Sequence, residues 1–399
     1  MPEGPETQPV GEGPRRRRLR DLRQATVVVS LLVIAAAAVA GVLAYWLAGQ
    51  SGGTPAAASS PKPAPTSTTA PATPSAQLTG WRFGTADSVD GSAAVAGGVV
   101  YIADDSGNIY ALTAGTGHLL WKRKASAEID STPYVLNGTL YVGDDNGDFY
   151  AINTANGQIR WQRNFPGGID SSPTIAGGLI YFGDGNNNVH AIAVANGATV
   201  WTYQTGNTVQ SSPAVADGLV YVGSEDGDVY ALGAASGNKV WSVATGGPVD
   251  SSPAVAGGVV YIGSDDHRVY ALRASSGAVV WTRPLGGQVS SRPLVAVGVV
   301  YVSSADGRLY ALGASQGTVR WTTALGAQLD SSPVLAAGLV YVGSEVSDSS
   351  GSLCAVSTDG RVVTEYQTGA QVQSSPVIAD GRVYVGSDNN EVLAEGLPG

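Results

Sequence analysis

The 399 residues include a single cysteine, Cys354, so no disulfide can close within one chain and no cysteine cluster can hold a metal. Charged residues make up only 14%, and Asp plus Glu outnumber Lys plus Arg by 32 to 22. A net charge of −10 excludes a chain built to neutralise phosphates, and so excludes nucleic acid as a partner. The three histidines, His118, His190 and His267, fall at different points of the pattern described below and form no ligand pair. No phosphate loop or complete dinucleotide fingerprint occurs, which leaves phosphoryl transfer without candidate residues. Apart from one apolar segment near the start, helix periodicity is missing as well. What is abundant is glycine, 54 residues, which points to many short elements joined by tight turns.

Residues 1–24 are rich in Pro, Gly and Glu and end in a basic run from Arg15 to Arg23. Charge then stops: residues 25–48 are rich in Val, Leu and Ala, with Tyr45 and Trp46 near the far end. As a helix, 24 residues reach about 36 Å, enough for a hydrocarbon core of about 30 Å. The arginines at one end place that end in the cytoplasm and the remainder outside. A cleaved signal peptide is the competing reading, but its apolar core is shorter, about 7–15 residues. The sequence therefore predicts a single-pass protein of the cytoplasmic membrane, N-terminus inside, with the spanning helix at 25–48. Residues 49–78, composed of Pro, Ala, Ser and Thr with almost no large apolar side chain, read as a tether.

From residue 79 to 399 the chain repeats itself. Trp81, Trp121, Trp161, Trp201, Trp241, Trp281 and Trp321 recur every 40 residues, and Tyr101 through Tyr341 keep the same period. Each repeat contains four segments of about five β-branched or aromatic residues, bounded by Gly, Asp, Asn or Ser, which is the signature of strands and turns. Four strands in 40 residues make a propeller blade. The second strand of the unit occurs eight times, and the fourth appears first at Trp81, before any first strand, and is missing at the end. The sequence thus predicts an all-β, eight-bladed propeller of four-stranded antiparallel blades, the last blade closed by the Trp81 strand. The period slips by three residues near Val346 to Gly351, and Thr364 takes a Trp position.

Segments such as Ala231-Leu232-Gly233-Ala234-Ala235-Ser236-Gly237-Asn238-Lys239-Val240-Trp241 resemble the tryptophan-docking motif of the pyrroloquinoline-quinone (PQQ) repeat, Ala-x-Asp-x-x-Thr-Gly-x-x-x-Trp. The Asp of that motif is replaced here by Thr113, Asn153, Ala193, Gly233, Arg273, Gly313 and Ser357, a looser form of it. The resemblance implies that the seven indoles dock between blades. It covers quinoprotein dehydrogenases as well as non-catalytic relatives, among them the propeller subunit of the outer-membrane barrel-assembly machinery. The enzymes of the family imply an aromatic floor for the quinone, a calcium carboxylate cluster, a base Asp and often adjacent cysteines. With no Trp beyond the docking set and Trp46, and with one Cys, the chain is similar to the non-catalytic members: no enzyme, no cofactor and no bound metal are expected. Unlike the barrel-assembly subunit, it has no cysteine after the apolar segment to carry lipid.

In a blade whose strands alternate in direction, the loops entering the first strand and those joining the second to the third share one rim. These loops hold 23 of the 32 acidic residues, so one face is acidic and its field attracts cations or basic partners. The candidate binding rim comprises Asp130, Ser131, Asp170, Ser171, Asp250, Ser251, Asp330, Ser331, Asp145, Glu225 and Asp266. Turn chemistry also accounts for these residue types, because Asp, Asn and Gly make good hairpins. Calcium at Asp144, Asp145 and Asp148 is a further reading, although the position-12 Glu of a calcium loop is absent. The Ser-Ser pairs, such as Ser171 and Ser172, either line the channel mouth for a polar ligand or serve as caps and turn bonds. The function expected is a non-catalytic binding scaffold of the cell envelope whose partners are envelope proteins or polar polymers. A PQQ- and calcium-dependent dehydrogenase and an extracytoplasmic sensor working through a partner subunit are the alternatives.

Overall fold

The computed structural model describes residues 75–76, 80–347 and 350–397. The basic tail, the spanning helix and all but two residues of the tether predicted above lie outside the described residues. Within them, every element is a strand.

Blade one shows how the repeat folds. Its innermost strand is Ala94–Ala96, followed by Val99–Ala103, Asn108–Thr113 and Leu119–Lys124, each antiparallel to the last. The first strand is only three residues long because it lines the narrow axis. The Gly97-Gly98 turn that follows it has positive φ at both residues, which a two-residue hairpin requires. Six further blades follow in sequence with the same order. In the eighth, Trp81–Gly84 pairs with Glu391–Gly396 and so supplies the outer strand from the other end of the chain. The closure expected from the sequence is therefore present, and it joins the ends of the ring by backbone hydrogen bonds rather than leaving two open sheet edges.

The core is not central but divided into eight layers, each between two neighbouring sheets. Between blades one and two, Tyr101, Ile109 and Ala111 meet Ile129, Leu140, Val142 and Ile152. Period-2 alternation puts one face of each sheet into the layer before it and the other into the layer after, so the two middle strands are buried on both faces. This explains their continuous apolar runs.

The tryptophans lock adjacent layers. Trp121 Nε1 donates to Thr154 O of the next blade at 2.7 Å, and its ring tilts over Tyr101 of its own blade at 6.0 Å. All seven indoles make the corresponding bond forward, from Trp81 to Ala114 through Trp321 to Thr358. A bulge at the indoles from Trp121 to Trp321, as between Ala111 and Leu112, leaves both residues before the Trp exposed, Leu119 and Leu120 among them. Blade seven departs where the sequence does. Its middle strands extend to Leu339–Ser347 and Ser350–Ser357, longer than in the other blades, with a register shift between Glu345 and Ser347. The outer edge of this blade, which lacks the Trp, is paired in parallel by Ser75–Ala76. Two residues of the predicted tether, Ser75 and Ala76, are thus a strand.

Candidate functional site

At one end of the axis the loops entering each first strand form three stacked layers. The residues Asp90, Asp130, Asp170, Gln210, Asp250, Ser290, Asp330 and Gln373 occupy equivalent positions in the outermost layer. Fifteen residues on in each blade, the hairpin between second and third strands adds Asp105, Asp145, Glu225, Asp265, Glu345 and Asp388. Five carboxyls in the first set and six in the second therefore gather around one mouth. Where the first position is an amide, the two layers bond directly: Gln210 Nε2 donates to Glu225 Oε1 at 2.7 Å, and Gln373 Nε2 to Asp388 Oδ2 at 3.3 Å. In blade five both positions are acids, Asp250 and Asp265. Burial and then the nearby Asp265 push the Asp250 carboxyl up to about 7, and burial followed by Asp330, Glu225 and Asp266 lifts Asp265 to about 6.

The second layer consists of Ser131, Ser171, Ser211, Ser251, Ser291, Ser331 and Ser374, with Gly91 in blade one. Four of these were placed on the binding rim by the sequence, and the structure puts them inside the wall. Ser131, Ser171, Ser251 and Ser331 have no exposed surface. Their hydroxyls are committed: Ser131 Oγ donates to Gly143 O at 3.0 Å, Ser171 Oγ to Ser211 O at 3.1 Å, Ser251 Oγ to Ser291 O at 2.8 Å, and Ser331 Oγ accepts from Gly343 N at 3.0 Å. They fasten the first strand to the second and one blade to the next.

The third layer faces the channel. Each backbone N–H donates to the hydroxyl of the neighbouring blade, from Ser92 to Thr132, Ser172, Ser212 and Ser252, and again from Arg292 through Ser332 and Ser375 back to Ser92, at 2.9 to 3.2 Å. The circle is open at one step only, between Ser252 and Arg292, because Arg292 has no hydroxyl to offer. Arg292, the one basic residue in this layer, lines an axial cavity of about 680 Å³ together with the seven hydroxyls, prolines, Tyr134 and aliphatic side chains of the first strands. The repeat-to-repeat alignment carries the signal for Arg292 plainly, as the single charged residue in a column of Ser and Thr.

The hairpin acids divide into two roles. In the first three blades the leading Asp is buried and wholly occupied. Asp144 accepts from Ser126 N and Oγ, Ala127 N, Asn146 N, Asp148 N and Tyr150 Oη, which removes it as a calcium ligand. Burial would raise Asp104, but bonds from the Asn108 backbone, Tyr110, Ser106 and the Asn108 side chain outweigh it and hold that carboxyl low. His190 stands in the place of this tyrosine in blade three and bonds Asp184 at 2.8 Å, inside a wall formed by Phe165 and Phe182. From blade four the leading Asp becomes Ser, and in blades four to six the tyrosine bond moves two residues on. Asp266 accordingly accepts from Tyr270 Oη, Gly246 N and Arg268 N and is a latch of the hairpin. Of the predicted rim, Asp130, Asp145, Asp170, Glu225, Asp250 and Asp330 remain gathered at the mouth.

Comparison with known proteins places this architecture. A family profile described as outer membrane protein assembly factor BamB matches residues 77–166, 135–244 and 225–397. BamB from Moraxella catarrhalis is similar in structure, with a TM-score of 0.68 and 19% identity over 79% of this chain and 99% of that one. Quinohemoprotein alcohol dehydrogenase from Comamonas testosteroni matches at 0.66 and 14% over 81% and 77%, and the computationally designed protein Ika8 at 0.71 and 14% over 81% and 100%. Identities this low show the shared fold alone. No curated protein matches the sequence. For the quinone that the dehydrogenase resemblance implies, the residues do not fit. The seven described indoles are docked between blades, and the axial cavity offers prolines, hydroxyls, Arg292 and one aromatic side chain, Tyr134, where an aromatic floor is needed.

Proposed function

The chain belongs to the PQQ-repeat propeller family described as outer membrane protein assembly factor BamB, and on that premise we propose that it is a non-catalytic envelope scaffold which captures a basic partner at its acidic mouth. The observation that carries this reading is the gathering of eleven carboxyls at one end of the axis. Acids so concentrated within a low-dielectric rim focus a negative field, which raises the local concentration of cationic groups and the rate at which they arrive. The hairpins of blades one to six are each tied by an Asp–Tyr or Asp–His bond, so little ordering entropy is lost there on binding.

The apolar segment 25–48 anchors the propeller to the cytoplasmic membrane in this reading, with the arginine-rich tail inside and the propeller outside. The test is affinity capture by the tagged full-length protein from detergent-solubilised membranes, run beside a variant carrying Asp170→Lys, Asp250→Lys and Asp330→Lys. The reading expects a stoichiometric partner that the variant loses. A partner retained equally by both proteins overturns the assignment of the acidic mouth.

A further inference from the structure

In blade six three positions of the repeat change character together. The outermost layer carries Ser290 where five other blades carry Asp, and the hairpin fifteen residues on carries Ala305 where six blades carry an acid. Every other blade keeps an acid in at least one of these two positions, so blade six alone interrupts the acidic mouth. Two residues after Ser290 stands Arg292, the single charged side chain among the eight equivalents of the third layer. The acid of the next blade is occupied elsewhere: Asp330 Oδ1 accepts from Ser290 Oγ at 3.3 Å and its Oδ2 from Gln328 Nε2 at 2.6 Å.

Among the described residues, neither a hydrogen bond nor an ion pair engages the Arg292 guanidinium; the bond to Ser332 uses the backbone N–H. The residue keeps exposed surface, yet protein surrounds it closely enough that lost hydration lowers its pKa. Both hold for a group in a concavity, which agrees with its place in the lining of the axial cavity. A Ser or Thr at this position in the other seven blades completes the circle of hydroxyls, and Arg292 leaves it open. A local rule broken in one copy, with no contact to offset the loss, marks a functional position.

The remainder of the lining is set to donate. Each of the seven hydroxyls already accepts a backbone N–H, and none of the described hydrogen bonds uses its own proton. An oxygen that accepts one bond is polarised toward donating the next. Prolines and aliphatic side chains fill the wall between these donors, and a volume of about 680 Å³ suits a small molecule. We propose that the axial cavity binds a small organic monocarboxylate, its carboxylate paired with Arg292 and its body held against the wall of hydroxyls and prolines. The planar guanidinium fork matches a carboxylate in two bonds. One cation beside eleven carboxyls offsets one charge, so the mouth disfavours anions that carry more. This inference stands apart from the capture of a basic partner, and titration with small acids succeeds or fails without that partner.

The experiment is calorimetric titration of sodium gluconate, hexanoate and benzoate into the full-length protein, each beside its neutral counterpart, glucitol, hexanamide or benzamide. Wild type, Arg292→Ser and Ala305→Asp are compared. At least one carboxylate should bind the wild type with a Kd of about 1 mM or tighter and raise its Tm, while its neutral counterpart binds at least tenfold more weakly. Arg292→Ser installs the residue that most other blades carry, so it should fold, and its affinity should drop at least tenfold. Ala305→Asp restores the acid found in other hairpins without touching the cavity, and should weaken binding by a few fold at low salt. Failure of all three carboxylates to bind the wild type overturns the proposal. Undiminished affinity in Arg292→Ser overturns it as well, as does equal binding of the neutral counterparts.

Discussion

A methyl group built on Gly237 would stand 2.7 Å from Cδ2 of Trp201, the indole that the preceding blade extends across the boundary. Glycine is required there twice over, because its φ is +69° and because the indole occupies the space a Cβ would fill. The Ser/Thr-Gly-x-x-x-Trp spacing is thus a contact between blades. Each Gly receives the Trp of the blade before, while the Trp four residues on reaches the Gly of the blade after.

Gly237→Ala should therefore cost about 2–4 kcal/mol, a backbone part of about 1–2 and the rest from displacing the indole. Gly257→Ala is the control, with φ +58° and nothing within 4 Å, and should lose the backbone part only. Urea denaturation of both variants checks the difference. Equal losses would show that the indole yields without strain.

Arg292→Ser should close the circle of hydroxyls around the axis. Ser252 N then acquires the acceptor that its counterparts in the other blades have, a gain of about 0.5–1.5 kcal/mol. Chemical denaturation of wild type and variant measures it. A fall in stability would mean that the Arg292 side chain contributes more packing in the cavity than the missing bond is worth.

Asp144→Ala should be severe, by about 3 kcal/mol or more, since it strips the acceptor from several buried donors at once. Added calcium should not restore the loss, because the carboxylate holds the hairpin by hydrogen bonds. Thermal melts with and without CaCl2 decide between the two roles.

Stability should fall as pH rises from about 4 to about 7. The Asp250 carboxyl keeps its proton to about 7 in the folded protein and releases it near 3.8 when unfolded, so the native state binds more protons throughout that window. Asp250→Asn carries the neutral form at every pH and should flatten this part of the profile, with a higher Tm above pH 7. Melting curves from pH 4 to 8 test it, and identical slopes for the two proteins would place the titration elsewhere.

Most of the architecture was legible because each rule acts at short range and repeats. Trp, Tyr and Gly at a 40-residue period count the blades, and the surplus strand at Trp81 implies the closure by overlap. The sharing of one rim by two loop sets follows from strand alternation alone. The three-residue slip near Val346 was readable as an insertion, and the structure shows it as a longer hairpin. Less could be read of the site. Ser171 and Ser172 are chemically identical neighbours, yet one is sealed in the wall and the other faces the channel, since adjacent residues of an extended chain point to opposite sides. Asp144 and Asp266 both stand in acidic turns and both prove to be latches, because a tyrosine from the adjoining strand reaches them.

Composition and periodicity by themselves determined an all-β eight-bladed ring, its seam, and the end of the axis at which the acids collect. These depend on strand length, turn type and side-chain alternation, all encoded within a few residues of where they act. Which serines are buried, which acids are occupied, and that Arg292 interrupts a circle of hydroxyls were decided by the tertiary structure alone. Those relations join residues from different blades or different loops, and their distances exist only once neighbouring sheets have packed.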